Sequence, residues 1–285
     1  MQSEFWYRQI GTLFAKNSLT EFVQKIKQWK NSMWSLFKKQ KKQEEPVGEI
    51  IDFSFLGCDM HSHLVPGVDD GAKTPEESLD FIRRFKEKGY KKLITTPHVH
   101  GEFYDNNSEK LRRHFANLQR LIDDHHIQIE LGISAEYFLD NYFMDIILPE
   151  GLLSFGDNYV LVEVSMAGWP RNFSDLIFSV QSLGYKPILA HPERYQYEEG
   201  SQFYHSLKDK GIMLQMNLLS ILGYYGRSVK HQAELLLKEK LYDFCGSDLH
   251  HSRHMEGLHK MMNDQPGIMR QLRDYGFRNQ ELLAH

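Results

Sequence analysis

From residue 50 onward the sequence predicts an α/β fold built from seven parallel strands, a (β/α)7 barrel of the TIM-like kind, behind a basic helical extension. Two observations carry this. Short apolar, β-branched runs alternate with longer amphipathic patterns, and every run ends on a polar or ionisable residue. Strand–helix alternation implies parallel strands, because each crossover returns the chain to the same end. Seven such units suit a closed barrel, with an open doubly wound sheet as the alternative. A length of 285 residues fits one barrel plus an appendage.

Residues 1–49 come first and differ from the rest. Phe22, Ile26, Trp29, Met33 and Phe37 fall at helical spacing, with Lys25, Lys27, Lys30, Lys38 and Lys39 among and after them. The stretch closes in KKQKKQEEP, a charged linker with a proline stop. Such a basic amphipathic helix packs on its own protein in the ordinary case, or lies on an anionic membrane. Met33 opens a segment that also reads as a native translation start. Residues 50–285 form the second predicted domain. Its strands are expected near 56–61, 91–96, 128–134, 159–164, 186–190, 212–217 and 242–247. The clearest helix covers 75–88: Thr74 is its N-cap, Pro75 its first residue, Glu77 completes a capping box and Gly89 stops it. Gly184 and Gly211 end later helices in the same way.

The strand ends carry the chemistry. Asp59-Met60-His61-Ser62-His63 closes the first run and Thr95-Thr96-Pro97-His98 the second. Glu136 follows the third, Glu163 closes the fourth, and His191-Pro192-Glu193-Arg194-Tyr195 follows the fifth. Gln215-Met216-Asn217 and Ser247-Asp248-Leu249-His250 end the last two. In parallel α/β folds this C-terminal end is where ligands bind. Residues two apart on a strand share a face, so His61 and His63 can reach one ion, and Asp248 and His250 repeat the spacing. Together with His98, Glu136 and His191 these donors exceed the needs of one ion and predict two or three. Imidazole and carboxylate without thiolate suit Mn²⁺, Fe²⁺ or Zn²⁺. The chemistry such a cluster supplies, an activated water and positive charge, suits phosphoester hydrolysis. Arg194 would add a bidentate grip on phosphate. Of Asp69 and Asp70, one reads as a ligand and the other as a support for a ligating histidine. His100, His251 and His254 read as rim residues, His125 and His126 as surface. Asn217 and Tyr225 are candidates for substrate contact or for structure.

Other chemistries are disfavoured. Cys58 and Cys245 are too few for a disulfide framework and suit a reducing compartment. Both lie in apolar strands, and a thiol phosphatase needs arginine six residues beyond its cysteine, where Leu64 and His251 stand. A net charge of −4 and the lack of a basic stripe argue against a nuclease and against nucleic acid as a partner. No apolar run approaches a membrane span, and the N-terminus has no secretory pattern.

The segments DMHSHLVPGVDDGAKTPEES, LITTPH, AEY, AHPERY, LQMNLLSILGYYG and GSDLHH, in this order, resemble the polymerase and histidinol phosphatase (PHP) superfamily, over about residues 55–260. HSHxxPGxDDGA together with HPERY is closer still to its capsule-biosynthesis branch, the PHP-type protein-tyrosine phosphatases. The resemblance implies a distorted seven-stranded barrel with three divalent ions, usually manganese. It assigns His61, His63, Glu136 and Asp248 to one ion. A second would share Glu136 and add Glu163 and His191. A third would take Asp70, His98 and His250. Arg194 matches the phosphate-contacting arginine. Arg253 lies near the place of a second arginine, in a departing sequence context. The implied substrate is phosphotyrosine on a membrane-associated bacterial tyrosine kinase that regulates polysaccharide export. That places the enzyme in the cytoplasm at the inner membrane face, a setting the basic extension suits. A small-molecule phosphatase acting on histidinol phosphate is the alternative.

Overall fold

The computed structural model describes residues 51–198 and 200–284; the basic extension and the Met33 start lie outside the described residues. Strands β1 (Cys58–Asp59), β2 (Lys92–Thr95) and β4 (Glu130–Ile133) form one sheet in the order β1-β2-β4. Strands β3 (His98–Val99), β5 (Glu136–Phe138), β6 (Tyr159–Glu163), β7 (Lys186–Ala190), β8 (Met213–Asn217) and β9 (Phe244–Gly246) form a second, in the order β3-β5-β6-β7-β8-β9. Every pairing is parallel.

Each predicted run contains a strand, and two short strands that the sequence reading did not separate, β3 and β5, follow the second and third runs. Their pairing stops after Thr95 and Ile133 and resumes at His98 and Glu136 in the other sheet. Pro97 has no N–H for a ladder, so the strand cannot pass through it unbroken. The amides around the break find other carbonyls. Thr96 N–H donates to Ser62 O (2.7 Å), Ser134 N–H to Thr95 O (2.9 Å) and Glu136 N–H to Pro97 O (3.1 Å). The break has a consequence for the site: His98 and Glu136 become direct neighbours in register. On the far side, the chain leaving β1 runs beside the chain leaving β9. Asp248 N–H donates to His61 O (2.8 Å) and His63 N–H to Leu249 O (3.0 Å).

Helices α1 (Pro75–Glu87), α2 (Ser108–Asp124), α3 (Phe173–Ser182), α4 (Gln202–Asp209), α5 (Arg227–Lys238), α6 (Ser252–Asp264) and α7 (Pro266–Tyr275) carry the apolar faces that cover the sheets. Thr74 caps α1 by accepting from Glu77 N–H (3.3 Å), while the Glu77 carboxylate reaches one residue further back, to Lys73 N–H (2.7 Å). Strand residues alternate between two cores. Val160, Val162 and Leu189 pack with the helices; Leu161, Ile188, Ala190, Ile94, Met60 and Phe244 pack with one another. Burial on both faces is why these strands read as unbroken apolar runs rather than alternating ones. No helix among the described residues is long and apolar enough to cross a membrane.

Candidate metal centre

The strand ends bring the predicted donors together. Ligand atoms of His61, His63, Glu136 and Asp248 all lie within 4.8 Å of one another, and so do those of His63, Asp70, His98 and His250. A third, smaller group joins His98, Glu136 and Glu163 within the same distance. His191 Nε2 stands 3.0 Å from Glu136 Oε1 and 3.9 Å from Glu163 Oε2. Glu136 is the hub: its Oε2 also lies 3.2 Å from His61 Nε2 and 3.2 Å from His98 Nδ1. His98 faces two ways, with Nδ1 at 3.2 Å from Glu163 and Nε2 at 3.5 Å from Asp70.

Backbone conformation helps to aim two of these residues. His191 (φ 33°) and Asp248 (φ 50°) occupy the left-handed region, which is costly for residues other than glycine and clusters at functional sites. Asp59 supports the second of them. Its buried carboxylate accepts from Ser247 N–H and Oγ–H, both at 2.8 Å, one residue before Asp248. Gly246 is required there by close approach, since a Cβ on it would come within 2.6 Å of the His61 Cβ.

A second layer orients the imidazoles. Gln215 Oε1 sits 2.8 Å from His61 Nδ1, and Asp69 Oδ2 sits 2.8 Å from His63 Nδ1. Each holds the ring so that Nε2 points into the cluster. The structure therefore divides the two aspartates: Asp69 supports His63 and accepts from the amides of Gly71 and His98, while Asp70 reaches His98 and His250. Glu193, inside the HPERY turn, is fully buried. It accepts from Asn217 N–H (2.9 Å), Ser220 Oγ–H (2.7 Å) and Tyr242 O–H (2.9 Å), which ties the turn to the end of β8. Asn217 in turn donates to Asp248 Oδ2 (2.7 Å) and to the Tyr225 hydroxyl oxygen (3.2 Å).

The charges are unusually concentrated. Burial pushes the His61 imidazole down, but the Glu136 and Asp248 carboxylates outweigh it and raise its pKa to about 9. His98 is raised to about 10 in the same contest, by Glu136 and Glu163. Burial acts to raise the Glu136 carboxyl, yet the His61, His98 and His191 imidazoles hold it well below the usual range. A field that pulls protons onto imidazoles this strongly also draws divalent cations, and a cation must displace those protons to bind. The donor set fits such ions: imidazoles and carboxylates without thiolate, converging from separate strands, with His191 Nδ1 buried and lacking a hydrogen-bond partner.

The arginines part company. Arg194 Nη1 donates to Asp248 Oδ2 at 2.8 Å, and its guanidinium lies 4.8 Å from the centre of the Tyr225 ring. Arg253 stands exposed in the first turn of α6. His254, expected at the rim, is buried instead, with Nδ1 3.0 Å from Asp248 O and 3.2 Å from the His250 amide; burial lowers its pKa to about 4. Tyr225 and Asn217 contact Asp248 or Arg194 rather than standing apart from the site. Cys58 and Cys245 are buried, and burial pushes both thiols upward, away from nucleophilic thiolate. Gln215, Glu193 and Asp59 escaped the sequence reading as supports. Their only signal was membership of the polar strand-end segments.

The chain is similar to several known proteins. It is 30% identical over 195 residues to the tyrosine-protein phosphatase YwqE of Bacillus subtilis, covering 67% of this chain and 76% of that protein. It is 25% identical over 199 residues to the tyrosine-protein phosphatase CpsB of Streptococcus pneumoniae, covering 67% and 82%. Among solved structures, one described as the metal-dependent tyrosine phosphatases YwqE and CpsB superposes with a TM-score of 0.64 at 26% identity, over 78% of this chain and 94% of that one. An amidohydrolase from Mycoplasma synoviae shares the fold, with a TM-score of 0.53 at 10% identity, over 82% and 89% of the two chains. The model of the capsular polysaccharide synthesis family CpsB/CapC matches residues 57–265, and the chain belongs to that family.

Proposed function

We propose that this chain is a metal-dependent tyrosine-protein phosphatase, a phosphoric monoester hydrolase. The observation that carries the reading is the convergence of the strand-end imidazoles and carboxylates in a member of a family whose named relatives are tyrosine phosphatases. His61, His63, Glu136 and Asp248 would hold one ion. Glu136, Glu163 and His191 would hold a second, and Asp70, His98 and His250 a third, Mn²⁺ being the metal we favour. When bound, such ions supply charge to bind phosphoryl oxygens and an activated water near neutral pH.

The chain's own groups do the rest. Glu136 keeps its carboxylate ionised between imidazoles. Gln215 and Asp69 hold the His61 and His63 rings with Nε2 inward. Asp248 and Tyr225 hold the Arg194 guanidinium while its side chain stays 27% exposed, so N–H donors remain for a phosphate oxygen. These donors strengthen their hold as negative charge builds on the transferring group. Arg253 is assigned at most a secondary part in phosphate binding.

We read the two sheets as one distorted (β/α)7 barrel. The continuity of β2 into β3 and of β4 into β5, and the hydrogen bonds between the chains leaving β1 and β9, support this. We place catalysis in residues 50–285 and assign residues 1–49 to a separate basic extension. The proposed substrate is phosphotyrosine on a membrane-associated bacterial tyrosine kinase of polysaccharide synthesis. The proposed place of action is the cytoplasmic face of the membrane, with the extension in peripheral contact. The test is phosphate release from a phosphotyrosine peptide and from histidinol phosphate, using chelator-stripped protein reloaded with Mn²⁺. Metal-dependent release from the peptide is expected. Preference for histidinol phosphate would move the protein to small-molecule metabolism.

A further inference from the structure

Among the described residues, seven large hydrophobic side chains are exposed: Phe103, Tyr142, Ile146, Met166, Phe178, Leu183 and Tyr224. Four of them are the first such side chains after a site-bearing strand. Phe103 comes after β3, Tyr142 after β5, Met166 after β6 and Tyr224 after β8. An exposed apolar patch beside a polar site marks a surface that another molecule can cover.

Phe103 is the most exposed of these, at 71%. It begins only five residues after His98, and its loop is held from both ends. The Phe103 and Tyr104 amides donate to His100 O (3.0 and 2.8 Å). The Asn106 side-chain amide donates to Val68 O (2.9 Å) and His98 O (2.8 Å), tying the loop to the segment that carries Asp69 and Asp70. The Phe103 ring meets His100 edge-on with centroids 4.7 Å apart, and His100 lies 4.0 Å from Phe138, two residues beyond Glu136. Tyr104, the next residue, stacks on His98 at 5.3 Å and 9°. Gly101 leaves room for Tyr142 against the loop backbone, since a Cβ there would come 2.5 Å from that ring. An aromatic side chain held in place before its partner arrives loses little freedom on binding, which is what an interface anchor requires.

We infer that Phe103, backed by His100, which itself rests on Phe138, anchors the polypeptide segment that carries the phosphotyrosine, by packing against apolar groups beside the modified residue. The inference rests on the tyrosine-phosphatase reading and deepens it. A small phosphate ester reaches the metal centre without touching this anchor, whereas a peptide covers it.

The test compares the parent, Phe103→Ala and Phe178→Ala, each loaded with Mn²⁺, on a phosphotyrosyl peptide with apolar flanking residues and on p-nitrophenyl phosphate. Phe178 is the control, because it is 70% exposed but lies on α3 rather than on a loop at the metal centre. Phe103→Ala should raise KM for the peptide about tenfold, the effect of losing one aromatic anchor, with kcat held. KM for the small ester should stay put, and Phe178→Ala should change neither. An equal change on both substrates would show that Phe103 merely supports His98 and overturns the inference. Unchanged peptide KM in Phe103→Ala also overturns it, while leaving the phosphatase reading intact. A parent enzyme that cleaves the small ester but no phosphotyrosyl peptide overturns both.

Discussion

Asn279 and Glu136 are both fully buried polar side chains, and they lie toward opposite ends of the parallel strands. Asn279 is satisfied on every side by backbone. Its amide donates to Cys58 O (2.9 Å) and Cys245 O (2.7 Å), and its carbonyl accepts from Cys245 N–H (3.0 Å). It stitches β1 to β9 and asks for nothing more. Glu136 meets chiefly other ionisable groups, three imidazoles at 3.0–3.2 Å. A neutral imidazole carries one N–H and one lone pair; with its Nδ1–H given to Gln215, His61 turns its lone pair toward Glu136, so that contact closes only with an added proton or a cation. Buried polar groups that complete each other serve stability, and those that require an outside charge serve binding.

Variants at the two ends should therefore fail in different ways. The largest effect is expected for Asp248→Ala, which removes a donor from the Glu136 cluster and the anchor of Arg194. Turnover should fall about a thousandfold, with lower metal content by elemental analysis and a folded circular dichroism spectrum. His191→Ala should behave alike; full activity with normal metal content would falsify its assignment as a ligand. Arg194→Ala should lower kcat about a hundredfold while metal content holds, if as proposed it contacts phosphate and is no metal ligand.

Asn279→Ala should show the opposite pattern. Three buried backbone groups lose their partner, so urea denaturation should report a loss of about 2 kcal/mol, while turnover per folded molecule is unchanged. A loss of turnover at equal folded fraction would break the comparison.

A pH series sharpens it further. In chelated protein, His61 and His98 have folded pKa values of about 9 and about 10, above the ordinary 6.5. Their contribution to stability is complete below 6.5 and is lost as pH climbs through the folded values. Metal must displace the same protons, so Mn²⁺ affinity should rise over that window. Melting curves with chelator and with Mn²⁺ should thus diverge as pH increases, and parallel curves would count against protons and metal sharing these rings. The smallest effect is expected at Arg253, exposed on α6: alanine there should change kcat/KM by no more than about twofold.

Much of this was legible along the chain because it is local. His61 and His63, two apart, enter one donor group as the HxH spacing suggests, whereas Asp248 and His250 enter different groups, because the left-handed backbone at Asp248 (φ 50°) breaks the extended geometry that the DxH reading assumes. Pro75, Thr74 and Gly89 mark the first helix by their own backbone preferences, and the helix spans Pro75–Glu87. Unbroken apolar runs located the strands, since both faces are buried.

Local chain chemistry was enough to place the strand ends and the donors upon them, because those follow from short-range backbone preferences. How those donors are shared and aimed came from assembly of the sheets. It bent two strands at Pro97 and Ala135 so that His98 lies beside Glu136. It gave Asp69 to His63 and Asp70 to His98 and His250. It set Gln215 behind His61, Asp59 behind Ser247, and Glu193 beneath the HPERY turn. The Gln215–His61 and Asp59–Ser247 contacts join residues more than 150 positions apart. Hydrogen bonds of that reach leave no periodicity to read, because their partners meet only once the sheets have assembled.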